Sequence, residues 1–87
     1  MDIKKYNADR NKALSNLRIC EFKPFLAKYE SFLAPGFVDR FLNSPKLIQK
    51  AMMCKMVCNI SAFNGSPTKQ KAVAWLVKHN MTGEMCL

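Results

Sequence analysis

The most apolar stretch of the chain decides the fold; it spans residues 45–63 and reads PKLIQKAMMCKMVCNISAF. At 100° per residue, its apolar side chains fall on both sides of a helix drawn through it. A clearly polar strip is confined to the first turn, around Lys46, Gln49 and Lys50. Because a helix that is apolar nearly all round needs partners on most sides, the sequence predicts a central helix over about 45–63.

Helical spacing recurs on both sides of this stretch, whereas period-two alternation is nearly absent. Further helices are predicted over about 2–19, from Pro24 to the Pro35-Gly36 turn, over 37–42 and from Pro67 to about His79. Proline stops or starts a helix, glycine accommodates a left-handed turn, and serine caps an N-terminus, so Ser44 and Ser66 are expected caps. We predict an all-α fold, a compact bundle of four to five short helices packed around the central helix at about 45–63.

Length and composition indicate a single helical domain over residues 1–87. The chain is 49% hydrophobic, which argues against disorder. It has no apolar leader and no run of 18 apolar residues, so we expect no membrane span and a cytoplasmic protein with reduced cysteines.

The charge distribution is the main functional clue. The chain carries 14 Lys and Arg against six Asp and Glu, a net charge of +8. From Arg40 to Gly83 there are seven basic residues and no acid; the next acid is Glu84. Such a one-signed field attracts polyanions, so nucleic acid, an anionic membrane surface and an acidic protein are the partner classes. The alternative is a merely soluble, lysine-rich surface.

The last predicted helix carries the strongest candidate for a binding site. Lys71 and Lys78 lie seven residues apart with Ala74 between them, and Trp75 is beside them. The lysines would meet phosphates and the indole would stack on a base; alternatively, Trp75 flanks the core and the lysines are its solvated side. The two last helices also fit either a helix-turn-helix, with Gln70 as the one base-reading side chain near the start of the second helix, or an ordinary αα-hairpin.

Two pairs in the central helix each have a structural and a functional interpretation. Cys54 and Cys58 fit buried core; the alternatives are a metal site, for which Cys20, His79 and Cys86 are the available further ligands, or a redox pair. Lys55 and Asn59 interrupt the apolar surface. They mark either a solvent window, a lysine paired with an acid such as Glu30 or Asp39, or an apolar and cationic patch with Met52 and Met56 that suits a protein partner.

No catalytic, cofactor or metal-binding motif accompanies these features, so we expect no enzyme. The sequence favours a small basic regulatory protein that binds nucleic acid or a nucleoprotein complex. The alternative is a protein-binding inhibitor or adaptor that blocks a larger host machine, by analogy with small phage and viral accessory proteins that act against host defences. A homodimer is also compatible with a small core rich in Phe and Met. The predicted contact residues are Lys46, Lys50, Lys55, Lys69, Lys71, Trp75 and Lys78, with Arg40 as a further candidate.

Overall fold

The structure, a computed structural model, describes residues 2–81. Within that range the chain forms five α-helices and no β-strand, which confirms the predicted all-α bundle. Two single-turn 3₁₀ helices, Glu30–Phe32 and Ser61–Phe63, follow the second and fourth of them. The α-helices are α1 (Ile3–Leu14), α2 (Ile19–Lys28), α3 (Phe37–Leu42), α4 (Lys46–Asn59) and α5 (Pro67–Lys78).

Helix α4 lies at the centre, as predicted, and packs against α2, α3 and most extensively α5. Met53, Cys54 and Val57 are fully buried in it. The helix ends at Asn59 rather than near residue 63. The next residue is extended and a 3₁₀ turn follows, which places Phe63 in the core, 7% exposed.

The boundary between α1 and α2 differs from the prediction of a helix over 2–19 followed by one starting at Pro24. Helix α1 ends at Leu14, and Leu17 adopts a left-handed conformation (φ 52°) with its side chain buried. Helix α2 begins at Ile19, so Pro24 lies inside it. A proline there costs about 3 kcal/mol. Burial of Phe22, which the early start places on the core face, offsets about 2 kcal/mol of that cost.

Aromatic side chains and one carboxylate join α1 to the end of α2 and to the 3₁₀ turn that follows it. Tyr6 stacks on Phe32 with ring centroids 4.8 Å apart, and its ring lies edge-on to Tyr29 at 5.3 Å. The Tyr29 hydroxyl donates a 2.5 Å hydrogen bond to Asp9, which also forms an ion pair with Lys28 at 3.4 Å. The weak apolar stripe of α1 is thus supplemented by contacts with the segment that follows it.

Several large apolar side chains lie at the surface. Leu42, Leu47, Ile48 and Val77 are 50%, 47%, 39% and 57% exposed. The first three lie close to the turn between α3 and α4, at the end of one helix and the start of the next. None of the helices within residues 2–81 has the length and apolarity needed to span a bilayer. Glu84 and Cys86 lie outside the described residues.

Candidate nucleic-acid interface

The turn before α5 sets the direction of that helix. Gly65 has φ 76°, a left-handed conformation with no Cβ cost for glycine. The Ser66 hydroxyl caps α5 by accepting from the Lys69 amide at 3.2 Å, and Pro67 is the first helical residue. This confirms the predicted turn, cap and start.

Helix α5 ends at Lys78, close to the predicted end at about His79, and Asn80 follows in a left-handed conformation. Its φ is 55°, its amide donates to the Val77 carbonyl, and the Met81 amide donates to the Leu76 carbonyl at 2.9 Å. This pair of bonds is a Schellman motif, with asparagine in the left-handed position. Helix α5 is therefore capped at both ends, by Ser66 at the start and by the Schellman motif at the end.

Lys71 and Lys78 form a basic row on the outside of α5. Ala72 and Leu76 are fully buried against the rest of the fold, and Ala74, on the opposite side, is exposed. Lys71 and Lys78 are both exposed and lie about 20° apart around the helix axis, because seven residues complete nearly two turns. Their separation along the axis is about 10 Å.

Trp75 lies beside this row but is only partly available. Its side chain is half-buried against the core, and its ring stacks on His79 with centroids 4.0 Å apart. The Nδ1 atom of His79 lies 2.8 Å from the Trp75 carbonyl; because a carbonyl accepts, Nδ1 carries the hydrogen. One face of the indole is therefore covered, and the predicted base stacking has only the other face to use.

Lys69 does not join the basic row. It lies about 160° from Lys71 around the helix axis. Its ammonium donates to Asn64 Oδ1 at 2.9 Å, so it braces the turn before α5. Lys69 is close to Lys71 and Lys78 in the sequence, but it lies on a different face of α5.

The lysines of α4 are also separated. Lys50 is half-buried and its ammonium donates to the Leu17 carbonyl, which gives this backbone acceptor in the turn between α1 and α2 a hydrogen-bond partner. Lys46 is exposed at the edge of a shallow groove that it shares with a residue absent from the sequence-based site, Lys23. Lys23 lies outside the acid-free stretch from which the candidates were drawn, and it comes near Lys46 only because α2 packs against α4. Lys55 lies about 180° from Lys46 around the helix axis.

Lys55 occupies a solvent window in the outer side of α4. It is half-buried, between Ile48 and the exposed Asn59 on the same side of the helix. The solvent window is thus the alternative that the structure supports; the alternative of a pair with Glu30 or Asp39 is not found, since the ion pairs within residues 2–81 are Lys28–Asp9 and Arg18–Glu21.

Both of these ion pairs lie in the first third of the chain, each at 3.4 Å. The seven basic residues from Arg40 to Lys78 have no acidic side chain within 4 Å in the described part of the chain. Arg40, the further candidate, is exposed, with its guanidinium 5.9 Å from the Phe37 ring centroid. Positive charge in this region is thus not neutralised locally.

Cys54 and Cys58 are core residues, as expected from their spacing. Cys54 is fully buried and Cys58 is 6% exposed. Burial raises the pKa of Cys54 to about 11 and also raises the pKa of Cys58, so both thiols are protonated at neutral pH. Among residues 2–81, no three His, Cys, Asp or Glu side chains are grouped to hold a metal ion.

Comparison of the chain with protein-family models, curated proteins and solved structures finds no match.

Proposed function

We propose that this protein is a non-enzymatic nucleic-acid-binding protein that contacts the phosphate backbone through Lys71 and Lys78. The observation that supports this most directly is that, within residues 2–81, none of the seven basic residues from Arg40 to Lys78 forms an ion pair with an acidic side chain. An unneutralised cation gains more from a phosphate than one that must first leave a carboxylate. Lys46 and Lys23 form a second cationic site at the start of α4 that would add to long-range attraction.

A salt titration tests the proposal. Binding to labelled duplex and single-stranded oligonucleotides, followed by fluorescence anisotropy, should weaken steeply between about 50 mM and about 200 mM salt. The double variant Lys71→Gln/Lys78→Gln should reduce the slope of log affinity against log salt by about two.

The matched control is Lys4→Gln/Lys5→Gln, which removes the same charge from two exposed lysines at the start of α1. It should weaken binding less than the α5 variant does. Absence of binding to either oligonucleotide at low salt would contradict the proposed function.

The second candidate function, a protein-binding inhibitor or adaptor, is supported by the outer side of α4. There Ile48 is 39% exposed, and half-buried Met52 and Met56 adjoin Lys55. Flexible thioethers beside an unpaired cation suit an apolar, acidic surface on another protein. In this function the present protein would act by covering an apolar, acidic surface of a larger assembly.

A pull-down from nuclease-treated lysate of the native cells separates the two functions. Protein binding predicts a stoichiometric partner that survives nuclease and is lost with Lys55→Glu but kept with Lys71→Gln/Lys78→Gln. If every captured protein disappears on nuclease treatment, the adaptor function has no support.

A further inference from the structure

We propose that α5 enters the major groove of duplex DNA and prefers A·T base pairs, an inference that rests on the proposed nucleic-acid function. It assigns a role to three exposed residues that the phosphate-binding role does not use. These residues, the outer strip of α5, are Gln70, Ala74 and Val77.

The outer strip lies next to the basic row on the same exposed side of the helix. Relative to the buried residues Ala72 and Leu76, Ala74 points directly outward. Gln70 and Val77 lie about 40° to 60° to one side of it, and the basic row lies about 40° to 60° to the other. A helix placed against DNA through Ala74 would therefore present the strip and the cations together.

The small central residue lets the helix approach closely. The major groove is about 12 Å wide, which admits an α-helix. Alanine at the outermost position keeps the helix narrow there, whereas a long side chain would hold the backbone away. On the Gln70 side, an apolar hollow of about 410 Å³ opens between the helix and the preceding turn, lined by Gly65, Ser66, Lys69, Gln70, Val73 and Ala74. It offers room for the edge of a base.

The chemistry of the strip suits adenine and thymine. A glutamine amide both donates and accepts, which matches N6 and N7 of adenine. Thymine carries the only methyl group in the groove, and apolar side chains such as Ala74 and Val77 contact it. Val77 is 57% exposed, so its apolar surface is open to such a contact. Gln70 and Val77 are about 10 Å apart along the axis, a span of about three base pairs.

Charge complementarity and groove shape select DNA as the occupant. Exposed Lys71 and Lys78 lie along one side of the strip, and no acid lies between Arg40 and Met81 to repel phosphates. A-form RNA has a deep, narrow major groove that does not admit a helix, so duplex RNA would receive only the backbone contacts.

Competition binding at about physiological salt, where sequence-independent affinity is weakened, tests the preference. The probes are an A·T-rich duplex, the same duplex with deoxyuridine in place of thymidine, and a G·C-rich duplex. Wild-type protein should bind the A·T duplex about five- to tenfold more tightly than the G·C duplex. Deoxyuridine, which lacks the methyl group but leaves the minor groove unchanged, should remove part of this preference.

Two variants locate the effect. Gln70→Ala should reduce the preference for A·T over G·C by about two- to fivefold, and Val77→Ala should reduce the difference in affinity between the thymidine and deoxyuridine duplexes. Both positions are exposed, so circular dichroism should show unchanged folding.

The possible failures are distinguishable. Equal affinity for all three duplexes, with binding still weakened by Lys71→Gln/Lys78→Gln, would overturn the groove inference and leave the phosphate-binding function standing. A preference that survives Gln70→Ala and Val77→Ala would also overturn it, because another surface would then be reading the bases. No binding to any duplex at low salt would remove both proposals.

Discussion

At the level of single residues, the Tyr29 hydroxyl controls the ionisation of Asp9. Its hydrogen bond to the carboxylate is the main cause that lowers the pKa of Asp9 below its ordinary value of 3.8, with Lys28 assisting. The same bond raises the pKa of Tyr29 to about 12. The bond therefore favours a charged Asp9 and a neutral Tyr29, and it stabilises the fold between the two titrations.

The variant Tyr29→Phe should lower the free energy of unfolding at neutral pH. A carboxyl whose pKa is lowered by folding stabilises the protein above its unfolded pKa and loses that effect as pH falls through its folded pKa. The deficit of the variant should thus shrink as pH falls below about 4. Urea denaturation across pH measures this; a deficit independent of pH would show that the hydroxyl acts through packing alone.

Gln49 shows how a polar residue can belong to the core. The sequence places it on a polar strip with Lys46 and Lys50, yet it is 4% exposed and donates to the Phe41 carbonyl at 2.8 Å. Periodicity could not reveal this, because the acceptor is a backbone atom of α3 whose position depends on the folded turn between α3 and α4.

Replacing this residue should destabilise the protein. Gln49→Met keeps the volume but loses the buried hydrogen bond, so we expect the free energy of unfolding to fall by about 1 kcal/mol. Gln70→Ala, at an exposed glutamine, should change it by less than about 0.5 kcal/mol. Equal effects of the two substitutions in urea denaturation would contradict a structural role for the buried bond.

At the level of helices, the two helical prolines should behave in opposite ways. Pro24 lies inside α2, where it leaves the Cys20 carbonyl without its helical donor, whereas Pro67 occupies the first position of α5. Pro24→Ala should raise the free energy of unfolding by about 1–3 kcal/mol. Pro67→Ala should leave it unchanged or lower it by up to about 1 kcal/mol. Thermal and urea denaturation compare them; destabilisation by Pro24→Ala would mean that the proline ring contributes more packing than its exposure suggests.

The same contrast explains which helices could be predicted. The bounds of α3 and both ends of α5 follow from local signals, since proline, glycine, serine and asparagine act within a few residues. The start of α2 does not, because the burial of Phe22 depends on tertiary packing and offsets much of the cost of a proline inside the helix. Ser44 and Ser66 precede proline in the same way, yet the Ser44 hydroxyl donates to the Arg40 carbonyl at 2.6 Å and caps nothing in α4. The carbonyl of Arg40 in α3 competes for the Ser44 hydroxyl, and the sequence pattern does not predict which of the two roles the hydroxyl takes.

At the level of the whole molecule, the sequence predicts the amount of charge but not its distribution. Lys71 and Lys78 could be placed on one face because both lie on one helix and seven residues apart. Lys50 and Lys69 could not be excluded, because the acceptors that engage them are the Leu17 carbonyl and the Asn64 amide, which lie in turns. A lysine side chain is long enough to reach several such acceptors, and the folded chain decides which one it meets.

Because the net charge is +8 with two ion pairs in the described residues, the folded protein repels itself electrostatically. Added salt screens this repulsion, so the free energy of unfolding should rise between about 10 mM and about 150 mM NaCl. The same salt should weaken phosphate binding. Urea denaturation curves recorded at several fixed NaCl concentrations and one pH measure the change in the free energy of unfolding.

Two single-lysine variants show whether charge repulsion causes the predicted rise in stability with salt. Lys28 and Lys78 are both exposed and both lie in the last turn of a helix, so each loses the same interaction with the helix dipole when it becomes glutamine. Lys28 is paired with Asp9, whereas Lys78 is close to no acid within residues 2–81. Lys78→Gln should therefore be the more stable variant at low salt, and salt should narrow the gap, since it screens both the lost ion pair and the relieved repulsion. Two results would contradict this account: a wild-type free energy of unfolding that falls as salt is added, or a Lys28→Gln variant that is more stable than Lys78→Gln. Either result would show that the lysines without an acidic partner do not destabilise the folded state by mutual repulsion.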